Sequence, residues 1–157
     1  MEIASLAPIL LVLVLGAMSP GPSLAVLLRN TMEGGKARGV SCGIGHGIGF
    51  GIYAFVAIAG ISQLKASASE AAIFLELSGG LFLLFLAAMM LKGSDEEFEH
   101  KYSSKRGFTE GFLIAFLNPK ILVFLIAIFS QFIEPDFTWT ERLLIASIAL
   151  LIDGGWY

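Results

Sequence analysis

The fold of this chain is decided by Ser19-Pro20-Gly21-Pro22-Ser23, a proline break late in an uncharged run that extends from Ile3 to Leu28. A second break, Asn118-Pro119-Lys120, interrupts another apolar run, from Gly111 to Ile133. Each run is long enough to cross a membrane, which takes about 20 mostly apolar residues. Broken helix at membrane depth is tolerated only where protein or a water-filled cavity covers it. Corresponding breaks in two halves of a chain are typical of a transporter's binding site, so the sequence predicts a small membrane transporter.

The composition indicates the same class of protein. Of 157 residues, 56% are hydrophobic and 15% are charged, against roughly 25% charged residues in soluble domains. The formal charge of −3 comes without a basic patch, so we expect no nucleic-acid partner. Cys42 is the only cysteine, which excludes an internal disulfide, a CxxC pair and a cysteine-rich metal site. We expect neither a cofactor nor a metal site.

Hydrophobic segments of spanning length predict an all-α, polytopic membrane protein with no soluble domain, so residues 1–157 form a single transmembrane domain. The predicted spans are about 3–28, 39–64, 71–91, 108–133 and a partial one at 143–157. Only 15 residues follow Arg142, fewer than the roughly 17 that a membrane helix needs. We therefore expect a truncated C-terminus, so that missing residues would complete an inverted three-plus-three repeat.

The distribution of Lys and Arg predicts the orientation. The loops after the first and third spans carry seven such residues, and the loops after the second and fourth carry two. Loops rich in positive charge stay in the cytoplasm, so the N-terminus is predicted to lie outside a bacterial-type inner membrane. Both breaks then lie near or somewhat inside mid-bilayer, in helices that run in opposite directions.

The first break should unwind the helix locally. Pro20 and Pro22 each lack an N–H and would crowd the carbonyl one turn earlier, while Gly21 permits unusual dihedrals. Free backbone groups would then lie between the hydroxyls of Ser19 and Ser23. One interpretation is a backbone cradle for a small zwitterion, and the other is a kink that helps packing.

The second break carries a lysine. Lys120 in mid-span costs about 2.5–3.5 kcal/mol on insertion scales, so it needs a partner or a wet cavity. One interpretation is that Lys120 binds a substrate carboxylate, and the other is a fixed ion pair between two helices. Asp153, deep in the last run, is the preferred acid partner, whereas Glu76 is expected at the interface. A buried carboxylate here could also carry a coupling proton.

The second predicted span is rich in glycine at every fourth position. Small residues at this spacing let another helix backbone approach closely, so packing is the preferred interpretation. The series comprises Gly39, Gly43, Gly47 and Gly51. His46 lies inside it. A lone histidine is more often a hydrogen-bonded structural residue than a ligand, but proton or substrate handling stays open.

Taken in order, these motifs resemble the LysE/RhtB family of amino-acid exporters. The resemblance rests on Ser19-Pro20-Gly21-Pro22, the glycine-rich second span, Gly111-Phe112-Leu113, Leu117-Asn118-Pro119-Lys120, Ser130-Gln131-Phe132 and Asp153-Gly154-Gly155-Trp156-Tyr157. It implies six helices in two inverted halves and a carrier that expels amino acids with the proton gradient. It also implies functional roles for Pro20, Gly21, Pro22, Asn118, Pro119, Lys120 and Asp153. Some members carry an acid where this chain has Phe50, so any role of that acid is missing here.

We therefore expect secondary-active, proton-coupled export of amino acids or similar zwitterions. The expected substrate-binding residues are Pro20, Gly21, Pro22, Ser23, Asn118, Pro119 and Lys120, with Asp153 and His46 as proton or ion-pair candidates. The expected partners are a small-molecule amino acid and membrane lipid, and a homo-oligomer stays open. The alternatives are a metal or other cation exporter of related fold and a non-transporting assembly subunit. An enzyme is not expected, because HExxH, GxSxG and paired membrane carboxylates are missing from the sequence.

Overall fold

A computed structural model describes residues 3–67 and 107–157, together with 73, 74, 77, 78, 81 and 84. Most of the predicted third span, Glu76 and the acidic segment 95–99 lie outside these residues. The described part of the chain is all-α, as predicted. Its helices are α1 (Ile3–Met18), α2 (Pro22–Ser67), α3 (Gly107–Phe116), α4 (Pro119–Phe132) and α5 (Trp139–Trp156).

The predicted break at the first proline pair is confirmed. Helix α1 ends at Met18 and α2 begins at Pro22, so the first apolar run is two helices rather than one that continues to Leu28. Pro22 opens the new helix, where its missing N–H has no partner to lose. The carbonyl of Gly21 accepts from the backbone N–H of Leu24 at 3.1 Å.

Helix α2 turns back on itself at Gly35. This residue has φ 72° and ψ −179°, a conformation that glycine adopts without a steric penalty. In an unbroken helix Thr31 and Gly39 would be about 12 Å apart along the axis, yet a Cβ on Gly39 would overlap the Thr31 hydroxyl. Residues 22–34 and 36–67 are therefore two arms of a helical hairpin, called here the N-terminal arm and the C-terminal arm.

The predicted break in the second proline segment is also confirmed. Helices α3 and α4 meet at an angle of 55° across Leu117 and Asn118. Asn118 caps α4, because its Oδ1 accepts from the backbone N–H of Lys120 at 3.0 Å. Pro119 occupies the first turn, where a helix tolerates proline.

The C-terminal arm lies between α3 and α5, and its glycines allow close approach on both sides. A Cβ on Gly47 would lie 2.7 Å from the Cα of Gly154 in α5. On the other face, a Cβ on Gly49 would lie 2.9 Å from the carbonyl oxygen of Phe112 in α3. Gly43 and Gly51 also contact α5, with Tyr157 and Leu150 as their neighbours, whereas Gly39 faces the other arm of the hairpin.

Many large apolar side chains are exposed on the outer faces of the helices. Within the described ranges, the stretch Pro22–Lys65, which includes the turn at Gly35, is long and apolar enough to cross a membrane, and α3 with α4 would form a second, broken crossing. A water-soluble monomer rarely exposes a large contiguous apolar surface. The exposed residues include Leu11, Met18, Leu28, Val40, Ile44, Val56, Leu117 and Leu151.

Candidate functional site

The two breaks meet at a cavity of about 610 Å³, a volume typical of small-molecule sites. Its polar and backbone lining comes from both breaks and two further helices: Ser19, Gly21, Pro22, Ser23, His46, Asn118, Lys120, Asp153 and Tyr157. Its apolar lining is Val12, Leu15, Gly16, Ala17, Phe50, Ile121 and Phe124. Most of the binding candidates from the sequence thus line one cavity. Pro20 and Pro119 are not among the lining residues, but each is next to one in the chain.

Lys120 connects the second break to the first. Its ammonium donates to the hydroxyl of Ser19 at 2.9 Å and to the carbonyl of Pro20 at 3.2 Å. In a continuing helix the Pro20 carbonyl would accept from Leu24, but the Leu24 N–H bonds to Gly21 instead. The break therefore frees the carbonyl that Lys120 uses.

Gly21 allows this approach. A Cβ at that position would lie 3.3 Å from the Lys120 nitrogen, closer than most side chains tolerate. Helices α2 and α4 both begin at the cavity, at Pro22 and Pro119. Because helix N-termini carry partial positive charge, two of them beside an ammonium make this part of the cavity favourable for an anion.

Asp153 of α5 and His46 of the C-terminal arm form a buried pair at the cavity. The Nδ1 of His46 lies 2.5 Å from the Oδ2 of Asp153, and each side chain is only 3% exposed. The His46 ring also packs against the ring of Tyr157, with centroids 4.5 Å apart. The close contact of Gly47 with Gly154 brings the two neighbouring residues, His46 and Asp153, together.

This pairing differs from the sequence prediction, which gave Asp153 to Lys120. The contacts that the structure gives Lys120 with the first break are the Ser19 hydroxyl and the Pro20 carbonyl. Asp153 instead lies on the face of α5 that the C-terminal arm covers, so its carboxylate meets His46. The partner that the structure shows for Asp153 is His46, and the Lys120–Asp153 partnership stays a prediction for two side chains that line one cavity.

A second buried polar cluster was not anticipated. Glu110 in α3 is 5% exposed, and its Oε2 accepts from Arg29 and from Asn30, each at 2.7 Å. Arg38 completes the cluster, since its Nε donates to Asn30 Oδ1 at 2.7 Å and its Nη2 lies 3.8 Å from Glu110 Oε1. In the sequence, Arg29 and Arg38 lie in a predicted loop, and Glu110 lies in a predicted apolar span. An acid in the first turn of a span, beside a basic loop, was the signal.

A comparison with protein families decides the identity of the fold. The family model described as "LysE type translocator" matches residues 14–157, nearly the whole chain. The chain belongs to the LysE type translocator family. This membership confirms the resemblance read from the motifs.

Curated relatives are 22–26% identical to this chain. The uncharacterized membrane protein PA4757 of Pseudomonas aeruginosa is 23% identical over 76% of this chain and 60% of its own length. An uncharacterized membrane protein of Vibrio cholerae is 26% identical over 92% of this chain and 73% of its own length. The threonine efflux protein of Salmonella typhi is 22% identical over 92% of this chain and 74% of its own length.

The LysE type chain thus spans about three fifths of the first of these relatives, PA4757. No solved structure matches it significantly. In the part of the chain that the structure describes, no group of three His, Cys, Asp or Glu side chains is placed to hold a metal ion. Phe50 is buried and lines the cavity.

Proposed function

We propose that the protein exports amino acids or similar small zwitterions, and that the cavity between the two breaks is the binding site. The observation that carries this proposal is the ammonium of Lys120, held against Ser19 and Pro20 of the other break. A lysine at membrane depth is costly, so its place beside two helix N-termini favours an anion-binding role.

The substrate carboxylate is the group that Lys120 would bind. Two of its present bonds go to neutral oxygens, and a bond between an ammonium and a carboxylate is roughly twice as strong as a neutral one. A carboxylate can therefore displace Ser19 and Pro20 at modest cost. The partial positive charges at the starts of α2 and α4 favour an anion in the same part of the cavity.

The substrate ammonium would lie toward Asp153, because this residue provides the carboxylate in the cavity lining. Apolar side chains from α1, α2 and α4 line the rest of the cavity, among them Leu15, Phe50 and Phe124. Such a wall suits a neutral side chain better than a charged one, because burying a charge without a partner is costly. Two relatives are named threonine efflux proteins, so threonine is the first solute to test.

Coupling to protons follows from the same carboxylate. Asp153 can be neutralised by a proton, shared with His46, or by the ammonium of a bound substrate, but the two positive charges repel each other at one site. A carboxylate that accepts one or the other gives exchange of a proton for a substrate. We place the carrier in the inner membrane with its N-terminus outside, as the seven-to-two ratio of Lys and Arg in the loops predicts.

The experiment is efflux of labelled threonine, and then of other labelled amino acids, from cells and from proteoliposomes. Lys120→Ala should lower the rate by about 10- to 100-fold, the effect of losing a charge-assisted hydrogen bond of about 1.5–3 kcal/mol. Lys36→Ala, which removes an exposed lysine, is the matched control and should leave the rate unchanged. The proposal would be overturned if folded wild-type protein exported none of the amino acids tested, or if Lys120→Ala exported them at the full rate.

A further inference from the structure

Three helical segments run side by side away from the cavity: the N-terminal arm, the C-terminal arm, and α3 with the break that follows it. Each segment contributes one residue to each of three successive layers. Within a segment these residues are three or four positions apart, so they lie on one helix face. The first layer is Ser23, His46 and Asn118, the second is Val26, Cys42 and Ile114, and the third is Asn30, Arg38 and Glu110.

The second layer is apolar and closed. Val26, Cys42 and Ile114 are all buried, and they form a cluster of their own, separate from the main core. The backbones also meet here, since a Cβ on Gly111 would overlap the carbonyl oxygen of Cys42. No solute can pass between the three segments while this apolar layer is packed.

The third layer holds the segments together by polar contacts. Glu110 of α3 accepts from Arg29 and Asn30 of the N-terminal arm, and Asn30 in turn accepts from Arg38 of the C-terminal arm. One carboxylate therefore links both arms of the hairpin to α3. Arg29 and Arg38 remain 27% and 19% exposed, so water reaches the edge of this cluster.

We propose that these two layers are a gate at one end of the cavity: Glu110 with Arg29, Asn30 and Arg38 is a polar latch, and Val26, Cys42 and Ile114 are the apolar layer that the latch keeps closed. The gate rests on the proposed function, because it controls access to the proposed binding site. The charged end it closes is the one that the Lys and Arg count predicts to be cytoplasmic.

The chemistry of the latch suits a contact that must open and close. A charged hydrogen bond is strong while water is excluded, and water competes for it once the edge opens. An apolar layer alone would exclude water, but it has no directional hydrogen bond to hold the three segments in one closed arrangement. Solute release or entry at this end requires the arms and α3 to separate, which breaks the bonds of Glu110 and exposes Cys42.

Cys42 makes the gate measurable without a transport assay, because it is the only cysteine in the chain and is 1% exposed. The test is the rate at which N-ethylmaleimide labels Cys42 in the whole protein in its membrane. Glu110→Gln should raise this rate by about tenfold or more, since the latch loses its charge and the open state gains population. Cys42→Ala defines the background.

Glu33→Gln is the matched control for lost charge. Glu33 also faces Arg38, at 3.6 Å, but its side chain is 55% exposed, so the labelling rate should not change. Arg38→Gln is the second latch variant, for use if Glu110→Gln fails to accumulate, and it should also raise the rate. Equal labelling of wild type, Glu110→Gln and Arg38→Gln would overturn the gate.

The labelling result is separable from the proposed function. Faster labelling in Glu110→Gln together with no amino-acid efflux by the wild type would support the gate and overturn the export proposal. Normal efflux together with unchanged labelling in both latch variants would overturn the gate and leave the binding site as proposed.

Discussion

Lys120 and Ser19 are 101 positions apart in the chain, yet the lysine ammonium donates to the serine hydroxyl at 2.9 Å. The contact exists because each residue lies in a helix break, and the two breaks meet at the same cavity. A break in one helix frees a carbonyl and a hydroxyl, and the break in the other brings the cation that uses them. The two interruptions in the sequence are therefore one structural feature.

Substitution of Ser19 tests whether its hydroxyl competes with the substrate for Lys120. If a carboxylate must displace this hydroxyl, Ser19→Ala should lower the KM for efflux by about two- to tenfold, the effect of a neutral hydrogen bond of about 0.5–1.5 kcal/mol. The measurement is the concentration dependence of labelled amino-acid exchange. A KM that rises tenfold would mean that Ser19 contacts the substrate directly instead.

Asp153→Asn tests proton coupling, because asparagine keeps the shape of the side chain and cannot be charged. In this variant the efflux rate should no longer respond to an imposed pH gradient. Exchange of labelled for unlabelled amino acid should continue, at a higher KM. Proteoliposomes with and without a pH gradient give both rates. An undiminished response to the gradient in Asp153→Asn would assign the coupling proton to another group.

The contact between the C-terminal arm and α5 predicts a stability effect at Gly47. A Cβ there would lie 2.7 Å from the Gly154 backbone, so Gly47→Ala should destabilise the protein by about 1–3 kcal/mol through overpacking. Gly60→Ala is the matched control in the same helix. A Cβ at Gly60 would meet no atom of the described residues within 4 Å, so this change should be neutral or stabilising by up to about 1 kcal/mol.

Thermal unfolding in detergent compares the two glycine variants directly. A lower melting temperature for Gly47→Ala than for Gly60→Ala is the expected order. Equal melting temperatures would show that α2 and α5 do not approach as closely as the structure has them.

The cap of α4 predicts a difference between two substitutions of Asn118. Its side chain accepts from the Lys120 N–H, so Asn118→Ala should cost about 1 kcal/mol of stability. Asn118→Asp keeps an acceptor at the cap and should recover most of that loss. Thermal unfolding of both variants checks this order, and the reverse order would contradict the assigned cap.

Much of the fold could be read from residues with few conformational options. Proline at positions 20, 22 and 119 cannot continue a helix, and Asn118 is a preferred cap, so the ends of α1 and α3 follow from the sequence. The turn at Gly35 could not be placed as surely, because adjacent glycines at 34 and 35 both allow a positive φ. The turn lies in the loop predicted between the first two spans, but the continuation of helix to both sides of Gly35 was not predicted.

The pairing of side chains across helices was harder to predict than the breaks. Asp153 was assigned to Lys120 because the two are deep in separate spans, whereas its partner His46 is chosen by the glycine contact that joins α2 to α5. Glu110 was missed because hydropathy averages one acid into a long apolar run. In both cases the sequence indicates the depth of a residue in the membrane more readily than the helix face that the residue occupies.

In the proposed mechanism the helix breaks hold an ammonium ready for a substrate carboxylate. The most direct measurement is competition for binding of labelled threonine, or of the best labelled substrate found, to the purified protein. Unlabelled amino acid should displace the label, while the corresponding amino-acid amide should compete at least about tenfold more weakly because Lys120 gains no charged partner from it. Equal competition by the amide, in the wild type and in Lys120→Ala alike, would contradict the account.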